Sequence, residues 1–161
     1  LIVQEYGRNV GLKTACFRAG CITGPNHSGA KLHGFLSYLV KASLKNNSYS
    51  LIGYKGKQVR DNIHAYDLVT MFWEFYKNPG YGEIYNAGGG RSNSISIIEA
   101  INLTSKLINQ DYKNFKIMKH NRKGDHIWYI TDFSKFKKKY NNWKISKNLK
   151  TTIKEIIKDI T

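Results

Sequence analysis

Arg18-Ala19-Gly20-Cys21-Ile22-Thr23-Gly24-Pro25-Asn26-His27-Ser28-Gly29 decides the fold, because of what stands on either side of it. Before it, Lys13 to Phe17 reads as a short buried strand. After it, Leu32, Phe35, Leu36, Leu39, Val40 and Leu44 recur at spacings of 3 and 4, the period of an amphipathic helix. A strand that runs into a small-residue loop and then a helix is the unit of an open α/β sheet. Ligands bind outside the carboxyl ends of such strands, where small residues let them reach the backbone. By spacing alone, the same residues read equally well as an ordinary Gly/Pro turn.

Outward from this stretch the alternation continues. Leu1 to Tyr6 is the apolar face of a helix with no Ser, Thr, Asp or Asn cap before it, weakened by Gly7 and ended near Gly11. It reads as a helix that has lost its beginning, so the chain is expected to be the C-terminal part of a longer protein. Ser48 to Ile52 reads as a strand and Gly53-Tyr54-Lys55-Gly56 as a turn. A helix is predicted from Asp67 to Tyr76, with Phe72, Trp73, Phe75 and Tyr76 distributed almost all round it, as in a deeply packed element. Glu83 to Ala87 is a strand that exits into Gly88-Gly89-Gly90. Ser96 and Glu99 have capping-box spacing at the head of a helix over 97–109. Phe115 to Lys119 reads as a strand, 133–140 as a short helix, and the stripe Leu149, Ile153, Ile156, Ile157, Ile160 as a terminal helix. The whole is an α/β protein.

Composition narrows the class. At 161 residues, 41% hydrophobic and 13% aromatic, the chain has enough apolar material for a packed core. No run approaches the ~20 apolar residues that span a bilayer. Cys16 and Cys21 match neither a zinc spacing nor a disulfide framework, so a reduced cytoplasmic protein is expected. The net charge of +15 raises nucleic acid as a partner. Its lysines are strewn among Asn and Ile over the second half, however, and the reading is that neither nucleic acid nor membrane is a partner. His27, His33, His64, His120 and His126 have no metal spacing, and no metal is expected.

Three polar segments can carry chemistry. In Lys57-Gln58-Val59-Arg60-Asp61-Asn62-Ile63-His64 an Arg stands beside an Asp in a polar run before a helix. The planar fork of Arg suits a diphosphate, and a structural Arg–Asp pair is the alternative. In Asn121-Arg122-Lys123-Gly124-Asp125-His126 a second Arg precedes an Asp across a glycine, as phosphate grip and ribose acceptor or as a charged turn. Tyr85-Asn86-Ala87-Gly88-Gly89-Gly90 lacks the G-x-G-x-x-G pattern of a dinucleotide loop.

Taken in order, these segments resemble the second half of the NAD-dependent epimerase/dehydratase family, the extended short-chain dehydrogenase/reductases. Arg18 to Pro25 is similar to R-x-x-N-x-Y-G-P, and Ile52-Gly53 through His64 to I-x-G-x-G-x-x-x-R-D-x-I-H. Asp67-Leu68-Val69 resembles the helix that follows. Gly82 to Gly89 is similar to G-x-x-Y-N-I-G-G, and Arg122-Lys123-Gly124-Asp125 with Asp132 and Trp143 to R-x-G-D, an Asp-led helix and a Trp. Within the family, the loop from Cys21 to Gly29 with Leu32-His33-Gly34-Phe35, and Gly124-Asp125-His126-Ile127-Trp128, resemble the CDP-paratose 2-epimerase branch. Cys21 stands where most of the family has Asn, and Thr23 where most have Tyr.

The resemblance implies the C-terminal part of a Rossmann-type doubly wound parallel sheet plus a smaller mixed α/β substrate-binding lobe. Residues 1–25 and 62–90 fall to the dinucleotide-binding domain, 26–61 and 91–161 to the nucleotide-sugar lobe. It implies NAD as cofactor and a nucleotide sugar, favoured as CDP-paratose, as substrate, with a UDP- or dTDP-sugar as the alternative. Ala19, Gly20, Cys21 and Thr23 are implied at the cofactor. Asn26, His33, Ser50, Ile52, Arg60, Arg122 and Asp125 are implied at the substrate, with the two arginines on the diphosphate and Asp125 on the ribose. The family's catalytic Tyr-x-x-x-Lys is expected upstream of Leu1. The isolated chain is therefore expected to be inactive, and a homo-oligomer is compatible with the full-length protein.

Overall fold

The computed structural model describes residues 1–27, 29–30, 34–121 and 123–161, and the expectations for Ser28, Leu32, His33 and Arg122 lie outside them. Chain order is α1 (Ile2–Asn9), β1 (Ala15–Ala19), β2 (Cys21–Thr23), α2 (Phe35–Leu44), β3 (Tyr49–Leu51), a 3-10 turn (Tyr54–Gly56), β4 (Val59–His64), α3 (Ala65–Lys77) and β5 (Glu83–Ala87). A second 3-10 turn (Arg91–Asn93), β6 (Ser94–Ser96), α4 (Ile97–Ile108), β7 (Phe115–Ile117), β8 (Trp128–Tyr129), α5 (Ser134–Lys139) and α6 (Leu149–Ile160) complete it. The α/β reading holds. Among the described residues, no helix is long and apolar enough to cross a membrane.

Three small sheets carry the strands. β1 runs parallel to β5, with Phe17 opposite Tyr85, and β3 runs parallel to β7. β4 is the hub of the third. It is parallel to β2 and β8 and antiparallel to β6, with Cys21 opposite Asn62 and Arg60 opposite both Ile95 and Tyr129. This corrects one expectation, since the glycine loop begins with a strand, β2. The polar run leads into a helix, α3, as expected, and its residues Val59–His64 are themselves a strand. Its inward side chains are polar: Asp61, Asn62 and His64 are all buried. Strand patterning looks for apolar residues at alternate positions, and β4 hides polar ones.

Asp61 shows why such burial is tolerated. Its Oδ2 accepts the Gly90 N–H at 2.9 Å and the Thr131 N–H at 3.1 Å, so one carboxylate ties β4 to the turn after β5 and to the segment after β8. Gly88 makes room, since a Cβ there would lie 2.4 Å from Asp61 Oδ2 and 2.1 Å from Thr131 Oγ1. Asp67, fully buried at the start of α3, accepts from the Ser146 and Lys147 main chain at 3.0 Å each, and Trp143 Nε1 donates to Thr70 Oγ1 at 3.1 Å. These links bind the C-terminal segment to α3.

Two hydrophobic cores result. One joins Ile63, Met71, Tyr85, Phe136, Tyr140 and Trp143, and the other joins Leu36, Leu39, Leu51, Ile101, Tyr112 and Ile153. Helix α5 and Trp143 thus pack with the core over β1 and β5. β4 runs through the expected boundary between 61 and 62.

Two helices depart from their sequence reading. In α3 only Asp67, Leu68 and Met71 are buried. Trp73 and Tyr76 stack on each other at 5.3 Å and are 57% and 71% exposed, so the helix carries an open aromatic ridge. In α1, Gly7 is not a weak point. A Cβ there would lie 2.0 Å from Gly82 N and 2.4 Å from Thr14 Oγ1, so the bare Cα is what lets the helix touch the chain before β5. The capping box at α4 is present: Glu99 N donates to Ser96 Oγ at 3.2 Å and Ser96 N to Glu99 Oε2 at 2.8 Å.

Helix propensity alone would have Gly7→Ala stabilise the protein by about 1 kcal/mol. The packing predicts the opposite sign, a loss of about 2 kcal/mol from overpacking, read as a lower midpoint in urea. Asp61→Ala strands two buried N–H groups and is expected to cost about 2–5 kcal/mol by the same measurement.

Candidate functional site

A cavity of about 510 Å³ opens beside the hub strand, lined by Gly20, Cys21, Ile22, His27, Gly34, Phe35, Tyr49, Ser50, Ile52, Gln58, Arg60, Ile97 and Asp125. Parallel pairing puts Cys21 beside Asn62, so Cys21 stands two positions along the sheet from Arg60 on the same face. The strand β3 supplies Ser50, and the turn after it places Ile52. Asp125 comes from the connection between β7 and β8.

Arg60 and Asp125, 65 residues apart in sequence, meet on this wall with Arg60 Nη2 and Asp125 Oδ1 at 2.5 Å. Both are half-buried, and Arg60 Nη1 also donates to the Val59 carbonyl at 2.8 Å. The pair joins a planar donor fork to a carboxylate in partly desolvated surroundings, a geometry suited to phosphate and to hydroxyls.

Tyr54 holds the loop that brings Asp125 there. Its main-chain N–H donates to Asn121 Oδ1 at 3.0 Å and its hydroxyl to the Asp125 carbonyl at 3.3 Å. The turn is costly to make. Tyr54 and Lys55 have φ of 44° and 55°, in the left-handed region, between Gly53 and Gly56. Gln58 closes the same corner by donating from Nε2 to the Ile52 carbonyl at 2.8 Å.

Of the residues expected at the site, Gly20, Cys21, Ser50, Ile52, Arg60 and Asp125 line the cavity. Ala19, Thr23 and Asn26 do not. Ala19 is exposed at the end of β1. Thr23 is buried, with Oγ1 3.2 Å from Ser37 Oγ, which in turn lies 3.2 Å from His27 Nδ1. Asn26 is exposed at φ 63°, and its main-chain N–H donates to Asp159 Oδ2 on α6 at 3.0 Å. The placements of His33 and Arg122 lie outside the described residues. Sequence reading did not single out Gln58, Tyr54 or Phe35. Gln58 sits at a position the segment's pattern leaves open and Tyr54 at one where the pattern has Gly, while Phe35 read as part of a helical stripe and of the loop's branch resemblance, with no site role.

The spacing Tyr-x-x-x-Lys also occurs within the chain, at Tyr112 with Lys116 and at Tyr140 with Lys144. Neither is a catalytic pair here. Tyr112 donates to the Asn47 carbonyl at 2.6 Å and Tyr140 to the Asn78 carbonyl at 2.8 Å, and neither lines the cavity. Burial pushes the Tyr112 hydroxyl up to about 12 and raises that of Tyr140 as well, which is the wrong direction for a base. Among the described residues no three His, Cys, Asp or Glu side chains gather as a metal set would.

Cys21 has a neutral thiol. Burial, helped by the Asp61 charge and opposed by Arg60, pushes it up to about 11. In a Cys16→Ser background at neutral pH, iodoacetamide is expected to modify Cys21 roughly a hundredfold more slowly than a free cysteine, in step with the lost thiolate. A rate equal to that of a free thiol would show that the site does not hold it neutral.

Comparison with known proteins bears on the family and the fold. The family model described as NAD dependent epimerase/dehydratase matches residues 1–88. The CDP-paratose 2-epimerase of Salmonella typhi is 26% identical over 140 residues, covering 81% of this chain and 40% of that enzyme. Among solved structures, a UDP-glucose 4-epimerase of Thermotoga maritima with UDP-glucose superposes with a TM-score of 0.84 at 23% identity, over 98% of this chain and 49% of that one. A UDP-glucuronic acid 4-epimerase of Bacillus cereus, in complex with UDP-glucuronic acid and NAD, gives 0.82 at 20% identity, over 99% and 48%. The chain thus spans between two fifths and one half of the length of these relatives. With over half of its residues matched by the family model, the chain belongs to the NAD-dependent epimerase/dehydratase family.

Proposed function

We propose that the complete protein is an NAD-dependent nucleotide-sugar epimerase, that its substrate is CDP-paratose, and that these 161 residues supply its nucleotide-sugar lobe and part of its sheet. The observation that carries the reading is the meeting of Arg60 and Asp125 on one cavity wall, each from a separate family-like segment. The cytidine sugar is favoured by the likeness to CDP-paratose 2-epimerase and by Cys21 and Thr23, where most of the family has Asn and Tyr.

In this reading the domain division follows the two cores, with α5 and Trp143 joining the sheet side. Arg60, with Arg122, grips the diphosphate, and Asp125 accepts ribose hydroxyls. The edge from Ser50 to Ile52 meets the base, while Asn26 and His33 belong to the loop over the sugar. Gly20 and Cys21 are the residues of this chain that would face NAD, whose chemistry when bound is to take a hydride from sugar C2 and return it to the other face. Gly20 fits that place, because it is bare backbone on the cavity wall just past the end of β1.

What these residues contribute is retention. With the diphosphate and ribose held at Arg60 and Asp125, the 2-keto sugar can turn over without leaving, giving CDP-tyvelose on return of the hydride. The neutral Cys21 thiol adds no charge beside it. The proton-transferring Tyr and Lys come, in this proposal, from outside these residues.

The test is to assay the full natural-length protein with CDP-paratose, UDP-glucose, UDP-glucuronic acid and a dTDP-hexose. Turnover of the CDP-sugar is expected, with Arg60→Ala raising KM by roughly tenfold or more. No turnover of any CDP-sugar ends the specific assignment, and turnover of a UDP- or dTDP-sugar in its place assigns the protein elsewhere in the family.

A further inference from the structure

Arg60 and Asp125 do more than share a wall: each occupies the other. Arg60 Nη2 is bound to Asp125 Oδ1 and Nη1 to the Val59 carbonyl, so both ends of the guanidinium fork are engaged. A phosphate is gripped by two parallel N–H donors along one edge of that fork. A diphosphate that takes the Nη2 N–H now given to Asp125 displaces the carboxylate, whose charge would otherwise lie against the phosphate. We propose that Asp125 is an internal stand-in for phosphate, and that a nucleoside diphosphate binds by partner exchange: its phosphate takes Arg60, and the released Asp125 carboxylate takes the ribose hydroxyls. This rests on the nucleotide-sugar reading of the site.

The surroundings make the exchange a side-chain event. Tyr54 holds the loop at two points, through its N–H to the Asn121 side chain and its hydroxyl to the Asp125 main-chain carbonyl. The loop therefore stays where it is while the carboxylate turns. Energetics then depend on what the incoming molecule offers. Breaking a half-buried ion pair and leaving the carboxylate unpaired is unfavourable. A nucleoside diphosphate avoids this, because its ribose brings donors for Asp125 as its phosphates bring acceptors for Arg60. Inorganic pyrophosphate brings only acceptors and leaves Asp125 stranded. The pair would thus select for a sugar hydroxyl next to the diphosphate, a property that neither residue has alone.

The experiment measures CDP and inorganic pyrophosphate binding by calorimetry to the full natural-length protein and its Asp125→Asn variant, with thermal melts of both. Neutralising the internal competitor is expected to tighten pyrophosphate about three- to tenfold, while CDP keeps only a neutral amide oxygen where its ribose hydroxyls met a carboxylate. The ratio of CDP to pyrophosphate affinity should therefore fall by about tenfold or more. If the unmodified protein binds CDP but pyrophosphate is unchanged or weaker in the variant, the exchange is wrong and the nucleotide reading stands. If the unmodified protein binds no nucleoside diphosphate, both fall together. Should Asp125→Asn fail to melt cooperatively, Asp125→Ala gives the same readout. Failure of both to fold would make the pair a structural requirement and overturn the proposal.

Discussion

The buried carboxylate of Asp61 is the constraint on which the rest of the molecule depends. It lies one residue from Arg60 on the hub strand, pointing the opposite way, and accepts main-chain N–H groups from Gly90 and Thr131. β4 itself and the segments that follow β5 and β8, distant in sequence, are thereby fixed at one point. A carboxylate is suited to this, because one of its oxygens, Oδ2, accepts both N–H groups without demanding a donor in return. With Asp61 anchored inward, strand alternation obliges Arg60 to face the cavity. The placement of Arg60 is thus a by-product of a structural acid, and Gly88 is the room that acid requires.

How much of this was legible in the sequence follows from where the determining forces are local. The α4 capping box was readable because both of its bonds are made within four residues. The strand β1 and helix α2 were readable because their periods are carried by apolar side chains. β4 was not, because Asp61, Asn62 and His64 are buried beside Ile63, and the Gly90 and Thr131 partners of Asp61 and the Glu155 partner of His64 lie far along the chain. β8 was not readable either, being two exposed residues at a sheet edge. Gly7 was read by its intrinsic cost to a helix, when its contact with the chain at Gly82 decides its role.

The site shows the same division. Its family-like segments pointed to Arg60 and Asp125, and the fold brings those two side chains together. Thr23 and Asn26 belong to a matching segment but do not line the cavity, one lying against Ser37 and the other bonded through its backbone to Asp159 on the terminal helix. A motif records which positions matter and is silent on whether they touch a ligand or hold the residue that does. Tyr54 is the complementary case. Its positive φ and its two hydrogen bonds across the loop are facts of three-dimensional closure, absent from any spacing pattern.

The aromatic ridge of α3 gives the lysine surplus a colloidal meaning. Exposed Trp73 and Tyr76 would draw copies of this chain together, and the net charge of +15 opposes that approach at long range. The repulsion reaches only about 8 Å at physiological ionic strength. Adding salt shortens its range and leaves the attraction between bare rings intact, so concentrated samples of this chain would self-associate as ionic strength rises.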